Sequence, residues 1–350
     1  MSEVLVRVDS VSRRFTPSVT LGERIAALLG APVETRTVHA VDRVSLDIVE
    51  GEVLGLVGES GCGKSTLGRV IAGIHAPSDG EAYVHGEPVM GGARKRVKTT
   101  TRVQMIFQDP FGSLDPRVRI GETIAEGPVA HGFVARAEAR AEVARWLTAV
   151  GLPADAADRF PHQFSGGQRQ RIAIARALAM RPDILVCDEP VASLDVSIQA
   201  QIINLFLKLR RELKELKLTM LFISHDLGVV RHICDRVAIM YLGRIVEIGR
   251  TKDIYERPAH HYTRALLDSV PKLVTEGDGF VTFRPIQGEL PSPLSPPPGC
   301  HFHLRCPAAS ERCRTEAPAL RDIAAGQRAA CHHPLANDTG EDRHGTVGMA

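Results

Sequence analysis

The sequence predicts an α/β fold built around a largely parallel sheet, and three observations carry that expectation. Short apolar runs at 53–57, 103–107, 184–187, 219–223 and 237–240 are nearly continuous, as in strands covered on both faces. They alternate with stretches of helical pattern, as strand–helix–strand units require. The first run leads into a glycine-rich loop that opens a further helical run at 67–71, a strand–loop–helix junction suited to holding an anion.

The elements follow in order. Residues 122–150, rich in Ala, Glu and Arg, form the best purely helical stretch, with a stop at Gly151 and Pro153. A second helix is expected over 168–180, and residues 240–246 should form a hairpin around Leu242-Gly243. Residues 16–37 fit poorly between two strand signals and suggest an inserted surface segment. One domain is expected over 1–270, with a helical subdomain over about 112–180. A Pro-rich linker over 271–299 contains PSPLSPPPG. A Cys-rich module at 300–334 and a polar, disordered tail at 335–350 complete the chain.

Composition excludes several classes. The 350 residues carry 43 Lys and Arg against 41 Asp and Glu, a net charge of +2. Nothing in that balance calls for nucleic acid. No run approaches the roughly 18 apolar residues that span a bilayer, and the N-terminus lacks a secretory layout. A cytoplasmic location is the default expectation, with any membrane association supplied by a partner.

Two motifs carry the chemistry. Gly58, Glu59, Ser60, Gly61, Cys62, Gly63, Lys64, Ser65 and Thr66 match the phosphate-loop pattern G-x-x-x-x-G-K-[ST]. Its glycines let backbone N–H groups wrap phosphate oxygens, Lys64 suits the β- and γ-phosphates, and Ser65 suits Mg²⁺. Downstream, the apolar run at 184–187 ends in Asp188 and Glu189. Asp188 can hold Mg²⁺ through water, and Glu189 can polarise an attacking water. An acidic helix cap is the plain alternative for that pair. Together the motifs indicate a P-loop NTPase and no narrower class.

Phe164-Ser165-Gly166-Gly167-Gln168-Arg169-Gln170-Arg171 opens the second helix and makes another anion-ready N-terminus. Two such starts in one chain make sense when the second serves a neighbouring subunit. At this segment the chain resembles the ABC ATPase family, whose signature motif usually begins with Leu where Phe164 stands. Further motifs fall in the family's order: Gln108 as the Q-loop glutamine, also a Mg²⁺ ligand, Asp195 in the D-loop, and His225 as the switch histidine. Phe15 best matches the aromatic residue that stacks on adenine, with His39 as a rival.

The resemblance spans about 3–270. It implies a RecA-like core, an antiparallel β subdomain and a helical subdomain. It also implies a head-to-tail pair of ATPase subunits, heterodimeric or homodimeric, with ATP between the phosphate loop of one and Ser165 of the other. Glu189, His225, Lys64 and Gln108 would then be catalytic.

Gln108–Arg117, the His261–Leu267 segment (HYTRALL) and Gly288–Pro293 resemble the ATPases of oligopeptide and dipeptide permeases. That subgroup implies two transmembrane permease subunits, an extracytoplasmic solute-binding protein and a position on the cytoplasmic face of the membrane. Its members import peptides, nickel complexes, glutathione or some sugars. Cys300, Cys306, Cys313 and Cys331 are separated by five, six and seventeen residues. Four such thiols suit Zn²⁺ or an iron–sulfur cluster, with free structural thiols as the plain alternative, and the resemblance to the subgroup, some of whose members hold one, implies a [4Fe-4S] cluster.

Overall fold

A computed structural model of the chain describes residues 3–17, 36–92, 96–109, 112–212, 217–270, 272–273, 281–282 and 285–335. The expected insertion at 16–37 and tail at 335–350 lie almost wholly outside the described residues, as does most of 271–284 within the expected linker.

In chain order the main strands are β1 (Val4–Phe15), β2 (Val38–Val49), β3 (Val53–Val57), β4 (Asp79–Val84), β5 (Val103–Ile106) and β6 (Ile184–Asp188). β7 (Thr219–Ser224), β8 (Arg236–Tyr241), β9 (Arg244–Arg250), β10 (Arg321–Ala324) and β11 (Gln327–Ala329) follow. The main helices are α1 (Lys64–Ile71), α2 (Ile120–Ala130), α3 (Ala139–Ala149), α4 (Gly166–Ala179) and α5 (Val196–Glu212). α6 (Leu227–Ile233), α7 (Thr251–Glu256), α8 (His261–Asp268) and α9 (Glu311–Thr315) complete the set.

The large sheet runs β10-β11-β9-β8-β3-β7-β6-β5. β8, β3, β7, β6 and β5 pair in parallel. β9, β11 and β10 extend one edge antiparallel. A second sheet, β2-β1-β4 with a short fourth strand at Glu87–Pro88, is antiparallel.

Every residue of β3 is buried, which is why its sequence shows no alternation. Its side chains still divide by face, as the pleat demands. Leu54 and Leu56 join the core shared with β1, β2 and α1, whereas Val53 and Val57 join the core shared with α4, α5 and α6. The apolar strands thus act as one septum between two cores, and their C-terminal ends converge on the loop that opens α1.

The helix expected at 122–150 is two helices. The chain breaks after α2 at Gly132, whose φ of +72° takes the left-handed region open to glycine. α3 is pinned by Trp146, 1% exposed, whose Nε1 donates to Glu142 Oε1 at 3.0 Å. Removing a buried indole of this kind costs about 3–5 kcal/mol.

The hairpin between β8 and β9 turns at Leu242 and Gly243, with φ of +42° and +82°, the left-handed pair of a tight two-residue turn. Gly243 donates its amide to the Cys62 carbonyl at 2.9 Å, so this turn braces the glycine-rich loop.

At the sheet edge β11 pairs with β9. Glu247 of β9 is fully buried and accepts from the amides of Ala259 and His260 and from Gln327 Nε2, at 2.8, 2.9 and 2.7 Å. Burial pushes its pKa up, against the pull of these donors. Residues near the C-terminus are therefore woven into the main sheet. Among the described residues no helix is long and apolar enough to cross a membrane.

Candidate functional site

A cleft of about 360 Å³ lies where β3 gives way to α1. Phe15, Val38 and Ala40 form one wall, Ser60, Gly61 and Gly63–Thr66 the floor, and Gln108 and Glu189 the far side, with Pro293 at the margin. Glycine is required in the loop for room as much as for torsion. A Cβ on Gly58 would sit 2.2 Å from the Met240 carbonyl oxygen, and one on Gly63 would sit 2.0 Å from that of Ala40. Gly63 also has φ +107°. It stands at the N-cap of α1 without a side-chain cap, so the helix's first N–H groups keep capacity for an anion.

The charged groups are arranged around that helix start. Lys64, 4% exposed, donates from Nζ to the carbonyls of Gly58 and Glu59 at 2.8 and 3.0 Å. Ser65 Oγ donates to Asp188 Oδ1 at 2.7 Å. Asp188 is buried at the end of β6. Burial raises its pKa, while Ser65 and Arg69, 3.9 Å away, oppose the rise. A hydroxyl beside a buried carboxylate is a hard-oxygen set that fits Mg²⁺. Gln108 Nε2 donates to Glu189 Oε2 at 3.1 Å, and His225 Nδ1 lies 3.3 Å from the same oxygen. Two residues from separate loops thus meet at the carboxylate of a third. Glu189 has φ +46°, a left-handed conformation that costs a non-glycine residue about 1–3 kcal/mol.

The remaining expected residues lie elsewhere. Ser165, Gly166, Gly167 and Gln168 begin α4 and do not line the cleft. Ser165 and Gln168 close a reciprocal cap: Ser165 N donates to Gln168 Oε1 at 3.0 Å and Gln168 N to Ser165 Oγ at 3.4 Å. Gly167 brings α4 against α5, since a Cβ there would meet Ile198 Cγ2 at 2.5 Å. Asp195 is exposed at the start of α5, beside Val196, which is 82% exposed. Phe15 lines the cleft, its ring edge-on to His75 at 5.5 Å. His39 is not in the lining and donates its amide to the Pro293 carbonyl at 2.9 Å. Cys62 and Cys187 are buried, with thiol pKa values raised by burial, consistent with packing residues.

The four C-terminal cysteines converge in part. Cys300 donates its amide to the Cys313 carbonyl at 2.8 Å. Burial pushes the Cys331 thiol up to about 11, with Cys300, Cys306 and Cys313 adding to the rise. Yet among the described residues no group of three or more His, Cys, Asp or Glu side chains stands in metal-holding geometry. The expected ligand set at Cys300, Cys306, Cys313 and Cys331 is therefore not met as these thiols are placed.

A larger cleft, about 940 Å³, opens between α2, α4 and β5, with Phe107, Thr123, Glu126, His131, Arg176 and Met180 in its lining. Sequence reasoning missed it, and it missed Pro293, Tyr262 and Arg305 as neighbours of the loop. One signal for Arg305 was available. Glu59 places a carboxylate in an anion site, which calls for a cation.

Comparison with known proteins identifies the family. Residues 41–192 match the ABC transporter family, and 246–313 match the oligopeptide/dipeptide transporter C-terminal region. Over 299 residues the chain is 48% identical to the oligopeptide transport ATP-binding protein AppF of Bacillus subtilis, covering 84% of this chain and 89% of that one. Over 297 residues it is 47% identical to the di/tripeptide transport ATP-binding protein DppF of Pseudomonas aeruginosa, covering 85% and 90%. Among solved structures it resembles the ATP-binding cassette MJ0796, a dimer in a post-hydrolysis state bound to ADP and Pi. That likeness has a TM-score of 0.56 and 25% identity, over 71% of this chain and 99% of that one. A phosphate loop, a capped second helix start and relatives matched over most of both lengths lead to one conclusion: the chain belongs to the ABC transporter ATPases, in the group that carries the oligopeptide/dipeptide transporter C-terminal region.

Proposed function

We propose that this chain hydrolyses ATP to drive the import of peptides through partner permease subunits. The observation that carries the reading is the convergence of Gln108 and His225 on Glu189 beside a Lys64–Ser65–Asp188 cradle. The names of the relatives supply the cargo class.

In this reading Lys64 and the amides of Gly61 and Gly63–Thr66 hold the triphosphate, and Phe15 stacks on the base. Ser65, Gln108 and, through water, Asp188 would hold Mg²⁺, which would draw charge from the phosphate oxygens. Glu189 orients the attacking water, and His225 and Lys64 balance charge that develops on the γ-phosphate. Ser165, Gly166, Gly167, Gln168 and Asp195 face the nucleotide of a second ATPase subunit. The exposure of Ser165, Gln168 and Asp195, and the absence of all five from this chain's own cleft lining, support that arrangement, as does the dimeric state of MJ0796. The partner is a similar chain, giving a heterodimer, or a second copy of this one.

The 940 Å³ cleft, next to Gln108 through Phe107, suits a docking element of the permease. In this reading the chain sits on the cytoplasmic face of the membrane, with a solute-binding protein on the other side. The domain limits expected from sequence, 1–270, 271–299 and 300–334, belong to the same proposal, as does a [4Fe-4S] or zinc centre at the cysteines. The centre rests on the number and spacing of these cysteines, since their thiols do not stand in metal-holding geometry here, and iron, sulfide and zinc analysis of anaerobically purified protein tests it. Metal-free protein removes it.

The test of function is uptake by the reconstituted complex with its permease and binding protein. ATP-dependent accumulation of a labelled tripeptide is expected. Transport of nickel, glutathione or a sugar instead would reassign the cargo within the family. ATP turnover coupled to no solute would favour a non-transport ATPase.

A further inference from the structure

Glu59 is the second residue of the phosphate loop, and its backbone and side chain are gripped from three directions. Its carbonyl accepts from Lys64 at 3.0 Å, and its amide donates to Tyr262 Oη of α8 at 3.0 Å. Its carboxylate takes both prongs of one guanidinium: Arg305 Nη1 to Oε2 at 2.7 Å and Arg305 Nη2 to Oε1 at 3.0 Å. The two residues are 246 apart in sequence. Arg305 ends a short 3-10 turn, His303–Arg305, immediately before Cys306. Its side chain is 5% exposed against 23% for Glu59. Its stem lies against Gly288, where a Cβ would stand 3.4 Å from Arg305 Cγ. Its Nε donates to the Gln287 carbonyl at 3.1 Å. The segment just before it also reaches the cleft margin, at Pro293.

A bidentate guanidinium–carboxylate pair fixes direction as well as distance. It holds and neutralises the Glu59 carboxylate outside the lining of the cleft built for a triphosphate. Loss of Arg305 leaves an unpaired negative charge in the phosphate loop, free to repel the anion that the loop binds.

We propose that Arg305 is a positioning residue for the nucleotide site, and that through it the C-terminal Cys-rich segment sets the affinity of the phosphate loop for ATP. The inference deepens the ATP reading without depending on the cargo. A merely structural tie is the competing account, and Gln327 supplies the control. Gln327 fastens the same segment to the core through Glu247 and the Arg257 carbonyl, at 2.7 and 2.9 Å, without touching Glu59.

The test is equilibrium binding of MgATP to the full-length chain, with KM and kcat of the assembled complex. In R305Q the dissociation constant and KM should rise about 5- to 20-fold, with kcat changed less than threefold. E59Q/R305Q, which removes both charges, should return to within about threefold of wild type. Q327A should lower thermal stability with less than a twofold change in affinity. Equal weakening in Q327A and R305Q, wild-type affinity in R305Q, or no recovery in the double variant would each overturn the proposal. If R305Q does not fold, R305K takes its place, keeping the charge but losing the fork, with an expected two- to fivefold loss. Binding by the wild-type chain in the same titration separates this outcome from a failure of the ATP reading itself.

Discussion

Helices α1 and α4 begin in opposite ways. α1 starts at Gly63 with no side-chain cap, at the floor of a cleft that gathers Lys64, Ser65, Gln108 and Glu189. α4 starts at Ser165 with a reciprocal cap closed by Gln168, on an exposed surface. The unpaired N–H groups of a helix start need a partner. At α1 a ligand can supply it. At α4 the chain supplies its own until something better arrives. The 3.4 Å bond from Gln168 N to Ser165 Oγ is long for a hydrogen bond, so exchanging it for a phosphate oxygen loses little. One helix start is thus held ready within the chain, and the other is kept satisfied while it waits for a second chain.

The largest expected effect breaks the α1 side. Glu189→Gln keeps an acceptor for Gln108 and the shape of the site but removes the base. Turnover should fall about 10²- to 10⁴-fold, while MgATP binding changes only a few-fold. Steady-state hydrolysis by the assembled complex, set against nucleotide binding, checks this. Wild-type turnover would leave Glu189 a structural acceptor for His225 and Gln108.

A third helix start, this one capped, supports the α1 side, and acid should undo it. His260 is the N-cap of α8, where its Nδ1 accepts from the Tyr262 amide at 3.0 Å. Burial, aided by His261, lowers its pKa from 6.5 to about 3. Neutral His260 therefore favours the fold fully above pH 6.5, and that contribution is lost as pH falls toward 3, by up to about 1.4 kcal/mol per pH unit. Glu247, which accepts the His260 amide, works the other way, because its pKa is raised and its neutral form favours the fold as pH falls. The net acid slope should be less than one proton. His260→Asn keeps an acceptor at the cap and cannot titrate, so its stability should fall less between pH 6 and 4. Urea unfolding at stepped pH measures the difference.

Local signals made the α1 side legible in the sequence. The strand at 53–57, the phosphate loop and the Leu242-Gly243 turn each declare themselves within a few residues, through apolar run, glycine spacing and turn chemistry. The break at Gly132 was harder to see, because the Ala-, Glu- and Arg-rich stretch has good helix propensity on both sides of it. The grip on Glu59 was hidden for a different reason. Arg305 and Tyr262 reach the loop through the fold, and no spacing rule connects residues so far apart. The cysteine spacing was easy to read, yet the expected ligand geometry did not follow, since spacing along a chain does not set the directions of its thiols.

The smallest expected effect sharpens the contrast from the α4 side. Ser165→Ala removes the acceptor for the Gln168 amide and should lower stability by about 1 kcal/mol, the usual cost of a lost N-cap. The cap bond's length argues for the lower part of the range. If Ser165 only caps α4, turnover should follow that loss of stability and recover under conditions where the variant is fully folded. If it also contacts the opposite nucleotide, turnover of the assembled complex should fall about 10-fold or more at temperatures where unfolding is negligible, because a hydrogen bond to a charged phosphate is worth about 1.5–3 kcal/mol. Ser165→Asn is the discriminating companion. It restores an acceptor for the cap but puts a bulkier amide where the phosphate would lie, so it should recover stability without recovering turnover. Recovery of both would confine Ser165 to its own helix.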